Sequence, residues 1–307
     1  MPSLRQNSQS SAPFVCDHED LHRQLAHWNG RRLSPAEPAA SWMEDLREDA
    51  RLQWLEGAWI EGFRERIADA AAQAPCDPDG FIAWFEALKS TGPGQGDPLF
   101  PWLAREASLD EMKWFLTQEA AGEAGFDDLV AMTQVKVPGP AKLELARNYW
   151  DEMGRGHVGG MHGPMLDAVV RTLGLEPRIE ETVWESLALA NTMTAFAATR
   201  RYAWHSIGAL GVVELTAPGR VAAVAAGLKR LGQPPVVRKY FELHAHLDVE
   251  HSKAWNLNAL RPLVAEAPSR ARCIAEGALM RLTCGELCFD AYRGHLWTSP
   301  QRRMAAE

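Results

Sequence analysis

The sequence places two histidines and an aspartate at helical spacing in its last third. His244, Asp248 and His251 are separated by steps of four and three residues. On an α-helix these offsets return to nearly the same azimuth, so the three side chains share one face. Two imidazoles with a carboxylate are a ligand set for a borderline transition metal such as iron. Taken alone, the pattern is equally typical of a polar cluster or a solvated helix face.

Three upstream segments offer further carboxylates or imidazole. Glu214 ends an apolar run, where a lone carboxylate is costly to bury unless it is paired or binds a metal. Glu152 and His162 are ten residues apart, which on an ideal helix misses a common face by roughly 80°. The glycines between them could loosen or bulge the helix and correct the phase. Glu119 and Glu123 lie at i,i+4 on a strongly helical segment.

These segments predict at least four helices that direct a carboxylate or imidazole toward a shared interior. Helical bundles hold pairs of iron or manganese ions in this way. The four-helix ferritin-type signature of two Glu-x2-His pairs is missing, since neither Glu119 nor Glu152 has a histidine three residues on.

In their order and spacing, the residues resemble the haem-oxygenase-like di-iron oxidases and oxygenases, often labelled iron-containing redox enzymes. The resemblance runs from about residue 114 to 255. The family pattern is a Glu, then Glu-x9-His, then a lone Glu, then His-x3-Asp-x2-His. The matching positions are Glu119, Glu152, His162, Glu214, His244, Asp248 and His251.

The resemblance implies a fold, a cofactor and a class of reaction. The fold would be an all-α, haem-oxygenase-like bundle of about seven core helices. These residues would hold two iron ions, with dioxygen as co-substrate: His162 and some glutamates on one iron, His244 and His251 on the other, and bridging carboxylates. Family members act on amino acids and fatty acids by N-oxygenation, desaturation or oxidative carbon–carbon cleavage. We therefore expect a small substrate of that kind, in natural-product biosynthesis.

Some of these assignments compete with other interpretations. Glu123 could be the metal ligand in place of Glu119, and His157 in place of His162, although an ordinary exposed or loop histidine is favoured at position 157. Glu119 could be a surface i,i+4 partner on an amphipathic helix. Glu214 could be a plain carboxylate at a helix C-terminus, but a negative charge there opposes the helix dipole. A different hypothesis for the whole chain is a helical binding or interaction protein whose metal site is structural or vestigial.

Composition limits the partners and the location. Apolar residues make up 46% and charged residues 23% of the chain, as in soluble globular proteins. A net charge of −8 argues against nucleic acid or an anionic membrane as the main partner. No apolar run approaches the roughly 18–20 residues of a transmembrane helix, and the polar N-terminus is unlike a signal peptide. We expect a cytoplasmic protein with a small-molecule substrate, and the sequence leaves room for an external electron donor and a homodimer.

Breaker residues divide the chain into helical segments. We expect a flexible arm over 1–17 and a single all-α di-iron domain over 18–300, made of a helical extension (18–100) and a metal-binding core (101–300). Ser108 to Glu111 has a capping-box pattern, and Pro140 and Pro218 are placed near first turns. The predicted helices are 18–28, 41–74, 79–90, 108–132, 140–154, 161–173, 178–213, 219–231, 236–263 and 266–294.

Residues outside the ligand set could bind another metal ion or contact the substrate, but a structural role is favoured for each. Cys284 and Cys288 are at helical spacing and could bind a metal, but buried, inert thiols are favoured because no second Cys/His pair lies near them in sequence. Arg200 and Arg201 could grip a substrate carboxylate, although a solvated face is favoured. Several hydrophobic residues could line a substrate pocket, with core packing favoured for each: Phe115, Phe196, Ala203, Ile207, Tyr240 and Trp255.

Overall fold

The structure, a computed structural model, describes residues 17–298. Within that range the chain is helical, and an isolated bridge between Met153 and Met161 is its one strand-like pairing. The all-α class predicted from the sequence is confirmed. The α-helices of this range are α1 (His18–Leu33), α2 (Trp42–Ala71), α3 (Pro78–Thr91), α4 (Leu99–Arg105), α5 (Leu109–Ala121), α6 (Phe126–Thr133), α7 (Gly139–Glu152), α8 (His162–Leu173), α9 (Trp184–Ala198), α10 (Ala203–Arg230), α11 (Pro235–Trp255), α12 (Arg261–Glu266) and α13 (Arg270–Thr298).

Helix α10 is central and packs along both α11 and α13. Its crossing with α13 is made backbone to backbone by two glycines. A Cβ atom on Gly208 would lie 1.9 Å from the carbonyl oxygen of Ile274. One on Gly277 would lie 1.9 Å from the carbonyl oxygen of His205. No residue with a Cβ fits either position without moving a helix, so the crossing depends on glycine.

The predicted break at 217–219 is wrong. Helix α10 continues through Pro218, which is buried inside it instead of starting a new helix. Because proline has no N–H, the carbonyl of Glu214 lacks its usual partner four residues on. The interruption lies earlier, where the chain makes a 3-10 turn at Arg200–Tyr202 between α9 and α10. The predicted helix 178–213 is therefore divided near residue 200, and its second part is continuous with the predicted helix 219–231.

The continuity of α10 produces a long apolar segment. Residues Arg200–Arg230 are long and apolar enough to cross a membrane by length and composition, contrary to the expectation that no apolar run approaches that length. Within this segment, 61% of the most apolar 18-residue stretch is buried inside the protein. A core helix of a soluble protein has the same composition and burial.

Other helix boundaries differ where tertiary contacts override local signals. Helix α1 runs through Asn29 and the following glycine, and the Asn29 amide donates to Asn191 Oδ1 at 2.8 Å. The predicted helix 108–132 is split at Gly125, whose φ is +74°. The capping box at its start is confirmed: the Glu111 N–H donates to Ser108 Oγ at 3.3 Å, and Glu111 Oε2 accepts from the Ser108 N–H at 2.7 Å.

Buried apolar residues form two clusters that share α10 and α13. One joins α1, α2 and α3 to α9, α12 and the first halves of α10 and α13. The other joins α4, α5 and α8 to the start of α11 and the second halves of α10 and α13. The division into an extension (18–100) and a metal-binding core (101–300) stays a prediction. The predicted arm, apart from residue 17, and the end of the predicted domain lie outside the described residues.

Candidate metal centre

A glycine-containing connection brings Glu152 and His162 together. Glu152 is the last residue of α7 and His162 the first of α8, and the chain between them leaves the helical conformation. Gly154 has a φ of +61°, and a Cβ on it would lie 2.4 Å from the carbonyl carbon of Gly160. The helix therefore ends and restarts, where a bulge had been expected. As a result, His162 Nδ1 lies 2.5 Å from Glu152 Oε2.

Five of the seven predicted ligands converge in two groups that share Glu152. One group is Glu152, His162 and His244, and the other is Glu152, Glu214 and His251. Within each group the potential ligand atoms all lie within 4.8 Å of one another. Four of these side chains are buried, and His244 is half-buried. Such an arrangement places one carboxylate between two candidate ion positions.

Neighbouring groups orient the two histidines of α11. His244 Nδ1 donates to the carbonyl oxygen of Tyr240 at 2.7 Å, which leaves Nε2 as its ligand atom. His251 Nε2 lies 3.1 Å from Asp151 Oδ2, so its Nδ1 faces Glu214 Oε1 at 3.4 Å. Metal-binding histidines usually donate their second N–H to a carboxylate or carbonyl in this manner.

Asn148 and Asp151, to which the sequence pattern assigns no role, contact the ligand groups. The Asn148 amide donates to Glu214 Oε1 at 2.6 Å and lies 3.2 Å from His251 Nδ1. Asn148 precedes Glu152 by four residues, so both lie on the same face of α7. That spacing is the signal that could have identified Asn148. Asp151 carries no such signal, because its role depends on how α11 packs against α7.

The electrostatics of the centre favour a bound cation. Burial and the charge of Glu214 raise the pKa of Glu152 to about 8. Burial, Glu214 and Glu152 likewise raise the pKa of Asp248. Burial and the charge of His251 lower the pKa of His162 to about 4. A cation would relieve the repulsion among the carboxylates and would accept the lone pair of the neutral His162 imidazole. Burial lowers the pKa of His251, but hydrogen bonds to Glu214 and Asp151 outweigh it and raise this pKa to about 9, so His251 would release a proton when it binds the cation.

The buried Nδ1 atom of His162 provides a separate test of fit. Despite its 2.5 Å approach to Glu152, this atom has no hydrogen-bond partner in the described part of the chain. A buried, unsatisfied polar atom is rare in proteins. A metal ion bound by His162 Nδ1 and Glu152 would supply the missing partner. Both are ligand types that iron accepts, so the residues present fit an iron ion.

Asp248 and Glu119 face the same cavity but lie outside both groups. Asp248 is buried on α11. Glu119 lies across the cavity, where its Oε1 accepts from the Tyr292 hydroxyl at 2.9 Å. Glu123 also lines the cavity, and its Oε1 accepts from the Gly125 N–H at 3.1 Å. His157 is exposed in the connection between α7 and α8 and joins neither group.

A cavity of about 210 Å³ adjoins the ligand groups. Its walls are mostly apolar, and helices α5, α8, α10, α11 and α13 contribute to them. Two of the predicted pocket residues, Phe115 and Tyr240, line it. The other four predicted pocket residues do not line this cavity. They are buried in the core, which is the role that the sequence favoured for each of them: Phe196, Ala203, Ile207 and Trp255.

The hypothesis that Arg200 and Arg201 grip a substrate is not supported. Arg200 donates to the carbonyl oxygens of Met132 at 3.1 Å and Thr133 at 3.3 Å. Arg201 donates to Glu61 Oε1 at 2.8 Å. Both are exposed and lie away from the cavity, on the solvated face that the sequence favoured.

Cys284 and Cys288 are buried, free thiols, as favoured. Burial raises the pKa of both thiols, to about 11 for Cys284, which makes thiolate formation and metal binding unfavourable. A further cluster of His205, Cys273 and Glu276 has donor atoms close enough for a metal ion. Its carboxylate already accepts charged hydrogen bonds from two arginines, Arg64 and Arg272, both at 2.8 Å. Two guanidinium groups repel a cation, so this cluster is a structural ion-pair network.

The described helices form an all-α, haem-oxygenase-like bundle, and comparison with known proteins agrees. A crystal structure of a CADD-like protein of unknown function from Nostoc punctiforme has this fold, with a TM-score of 0.50 and 16% sequence identity. The match covers 77% of this chain and 98% of that one. A comparison with curated proteins gave no significant match.

The chain belongs to the iron-containing redox enzyme family, whose sequence model matches residues 113–286. The family resemblance drawn from the ligand pattern is therefore confirmed, and the protein is an oxidoreductase of an iron-containing family. The matched range includes both ligand groups and most of the cavity wall.

Proposed function

We propose that the protein is a non-haem di-iron enzyme that uses dioxygen to oxidise a small substrate derived from an amino acid or a fatty acid. The reaction would be an N-oxygenation, a desaturation or an oxidative carbon–carbon cleavage, in natural-product biosynthesis. The observation that carries this proposal is the sharing of Glu152 between two ligand groups at the wall of an apolar cavity. One carboxylate between two sets of donors is the arrangement that bundle sites use for paired metals.

The two groups divide the predicted ligands between two ions, and this division differs from the expectation that His244 and His251 bind the same iron. His162 and His244 would hold one iron and Glu214 and His251 the other, with Glu152 between them. Asp248 and Glu119, which face the same cavity, would complete the set. Two ferrous ions held there would supply two of the electrons that reduce dioxygen, and the substrate or an external donor would supply the rest.

Residues around the ligands prepare the site for this chemistry. Asp151 and the Tyr240 carbonyl hold the imidazoles of His251 and His244 in fixed orientations. The Asn148 amide donates to Glu214 and fixes that carboxylate. The mostly apolar walls of the cavity would limit the water beside the ligands when a substrate fills it, which would strengthen electrostatic interactions there and limit side reactions.

Iron reconstitution with two histidine variants tests the proposal. The protein would be loaded anaerobically with ferrous iron, its iron content measured, and oxygen uptake followed after air is admitted. We expect two irons per chain in the wild type, and loss of iron and oxygen uptake in His244→Ala. His246→Ala is the matched control, because His246 lies on the same helix but is exposed, and its Nδ1 donates to the Glu242 carbonyl at 2.9 Å.

The results also separate this proposal from its rival. A binding protein with a structural metal site would retain at most one metal and would show no oxygen uptake. If the wild type and His244→Ala consume oxygen equally, the di-iron proposal is wrong. Glu152→Ala adds a sharper test: because both groups share this carboxylate, its loss should reduce the binding of both ions.

A further inference from the structure

Two arginines without ion-pair partners line the cavity beside the ligand groups. Arg220 lies on α10 and Arg281 on α13, and both are half-buried. Within residues 17–298 neither guanidinium forms a salt bridge, unlike the exposed Arg201 and the buried network around Glu276. Charged groups in protein interiors are usually paired, so two unpaired cations at one cavity need an explanation.

The hydrogen-bond capacity of these arginines is largely unused. A guanidinium has five N–H donors. In the described chain, Arg220 makes one side-chain hydrogen bond, to Thr216 Oγ1 at 2.8 Å, and Arg281 makes none. Thr216 donates its own hydroxyl hydrogen to the Val212 carbonyl at 2.7 Å and so acts only as an acceptor toward Arg220. The remaining donors are available to a molecule in the cavity.

Two aromatic rings flank the Arg220 guanidinium. Its Cζ atom lies 6.0 Å from the ring centre of Phe100 and 5.5 Å from that of Phe289. Burial and the charge of Arg281 lower the pKa of Arg220 to about 10, which still leaves it charged at neutral pH. An anion between the two guanidinium groups would relieve their repulsion.

Two cavity carboxylates lie near these arginines, but each accepts its hydrogen bond from another group. Glu119 lies near both arginines, and its Oε1 accepts from the Tyr292 hydroxyl. Glu123 lies near Arg281, and its Oε1 accepts from the Gly125 N–H at 3.1 Å. The proposed substrates, which derive from amino acids or fatty acids, carry a carboxylate, and a carboxylate matches the planar fork of a guanidinium.

The arginines and the ligand groups occupy different parts of one cavity. Arg220 follows Glu214 by six residues on the same helix, so their Cα atoms are separated by about 9 Å along its axis. Arg281 lies on α13, which packs against α10 and contributes no residue to the two ligand groups. A molecule held by the arginines would therefore extend its other end toward Glu152 and His244.

We propose that Arg220 and Arg281 form a carboxylate-binding subsite that anchors the substrate and directs its reacting atom to the ligand groups. This rests on the proposed function, because it describes the substrate of the same cavity. It makes the substrate an organic acid whose carboxylate binds the arginines and does not occupy a metal position.

Binding of simple amphiphiles to the metal-free protein tests the subsite without any iron chemistry. Octanoate, 1-octanol, octylamine and octyl phosphate would be titrated by calorimetry into the wild type and into Arg220→Gln, Arg281→Gln and Arg201→Gln. We expect the wild type to bind octanoate more tightly than the other three. We expect each cavity variant to weaken octanoate by about tenfold or more and to leave 1-octanol unchanged. Arg201→Gln, an exposed arginine, should behave as wild type.

Conservative variants keep the test valid if a glutamine variant folds poorly. Arg220→Lys and Arg281→Lys retain the charge but lose the fork, so they should give an intermediate loss of octanoate binding. The subsite is refuted if the wild type does not bind octanoate, if 1-octanol binds as tightly, or if the variants bind octanoate like wild type. Tighter binding of octyl phosphate would refute the carboxylate assignment. Since no iron is present, these results are independent of the oxygen-uptake experiment.

Discussion

Replacing Gly277 by alanine tests the backbone contact that joins α10 to α13. The added Cβ would lie 1.9 Å from the carbonyl oxygen of His205 and 2.5 Å from its carbonyl carbon. A close carbon–oxygen contact is about 3.3 Å, so the helices must separate by roughly 1.4 Å at this point. No side chain can rotate away to make room, since both obstructing atoms belong to the backbone.

The expected change in the free energy of unfolding is the sum of two opposed effects. Overpacking of this kind costs about 1–3 kcal/mol. Alanine is favoured over glycine inside a helix by about 1 kcal/mol. Because the obstruction is rigid, the cost should lie near the upper end of its range. We therefore expect Gly277→Ala to lower the free energy of unfolding by about 1–2 kcal/mol.

Urea denaturation of the metal-free protein, followed by circular dichroism, measures this change. Gly62→Ala is the matched control, since Gly62 also lies inside a helix, α2, and a Cβ there would meet nothing within 4 Å. The control should gain up to about 1 kcal/mol. If Gly277→Ala is as stable as wild type, the two helices are not in backbone contact at Gly277 and the described crossing is wrong.

Three further predictions concern the metal centre and the thiols. Asp151→Asn should lower iron affinity about 10–100-fold in a metal titration because it weakens the group that orients His251. Asp167→Asn, at an exposed position, is the control and should leave the affinity unchanged. If the two variants bind iron equally well, Asp151 does not support the site. Folding raises the pKa of Glu152 from 4.5 to about 8, so the metal-free protein should lose stability as pH rises through this interval, and bound iron should remove the loss. The prediction is wrong if the melting temperatures of the metal-free and iron-loaded forms change with pH in the same way. Iodoacetamide should label the exposed Cys76 in the native protein and buried Cys284 only after unfolding, as peptide mapping would show; native labelling of Cys284 would contradict its burial.

The ligand pattern was accessible from the sequence because its parts are local. His244 and His251 share a helix, and helical geometry alone places them on one face. Glu214 stood out as a carboxylate in an apolar run, and the structure buries it. The approach of Glu152 to His162 could only be expected in outline, because it depends on a connection closed by contact between Gly154 and the backbone around Gly160.

The failures of sequence-based prediction have tertiary causes. Asn29 resembled a helix stop, but its amide bonds to Asn191 across the core, and the helix continues. Pro218 resembled a helix start, but the surrounding bundle holds α10 together through it. The cavity arginines, Arg220 and Arg281, are 61 residues apart. No local pattern links them, so only the packing of α10 on α13 could identify them.

The continuity of α10 has a consequence for selectivity. One unbroken helix carries both a proposed iron ligand, Glu214, and a proposed anion-binding residue, Arg220. The distance between them is set by helical rise and cannot be altered by a loop movement. The position of oxidation on the substrate would then be fixed by its distance from the acid group, so this helix would determine the regioselectivity of the enzyme. Homologous acids of increasing chain length should be oxidised at a constant distance from the carboxylate and not from the chain terminus.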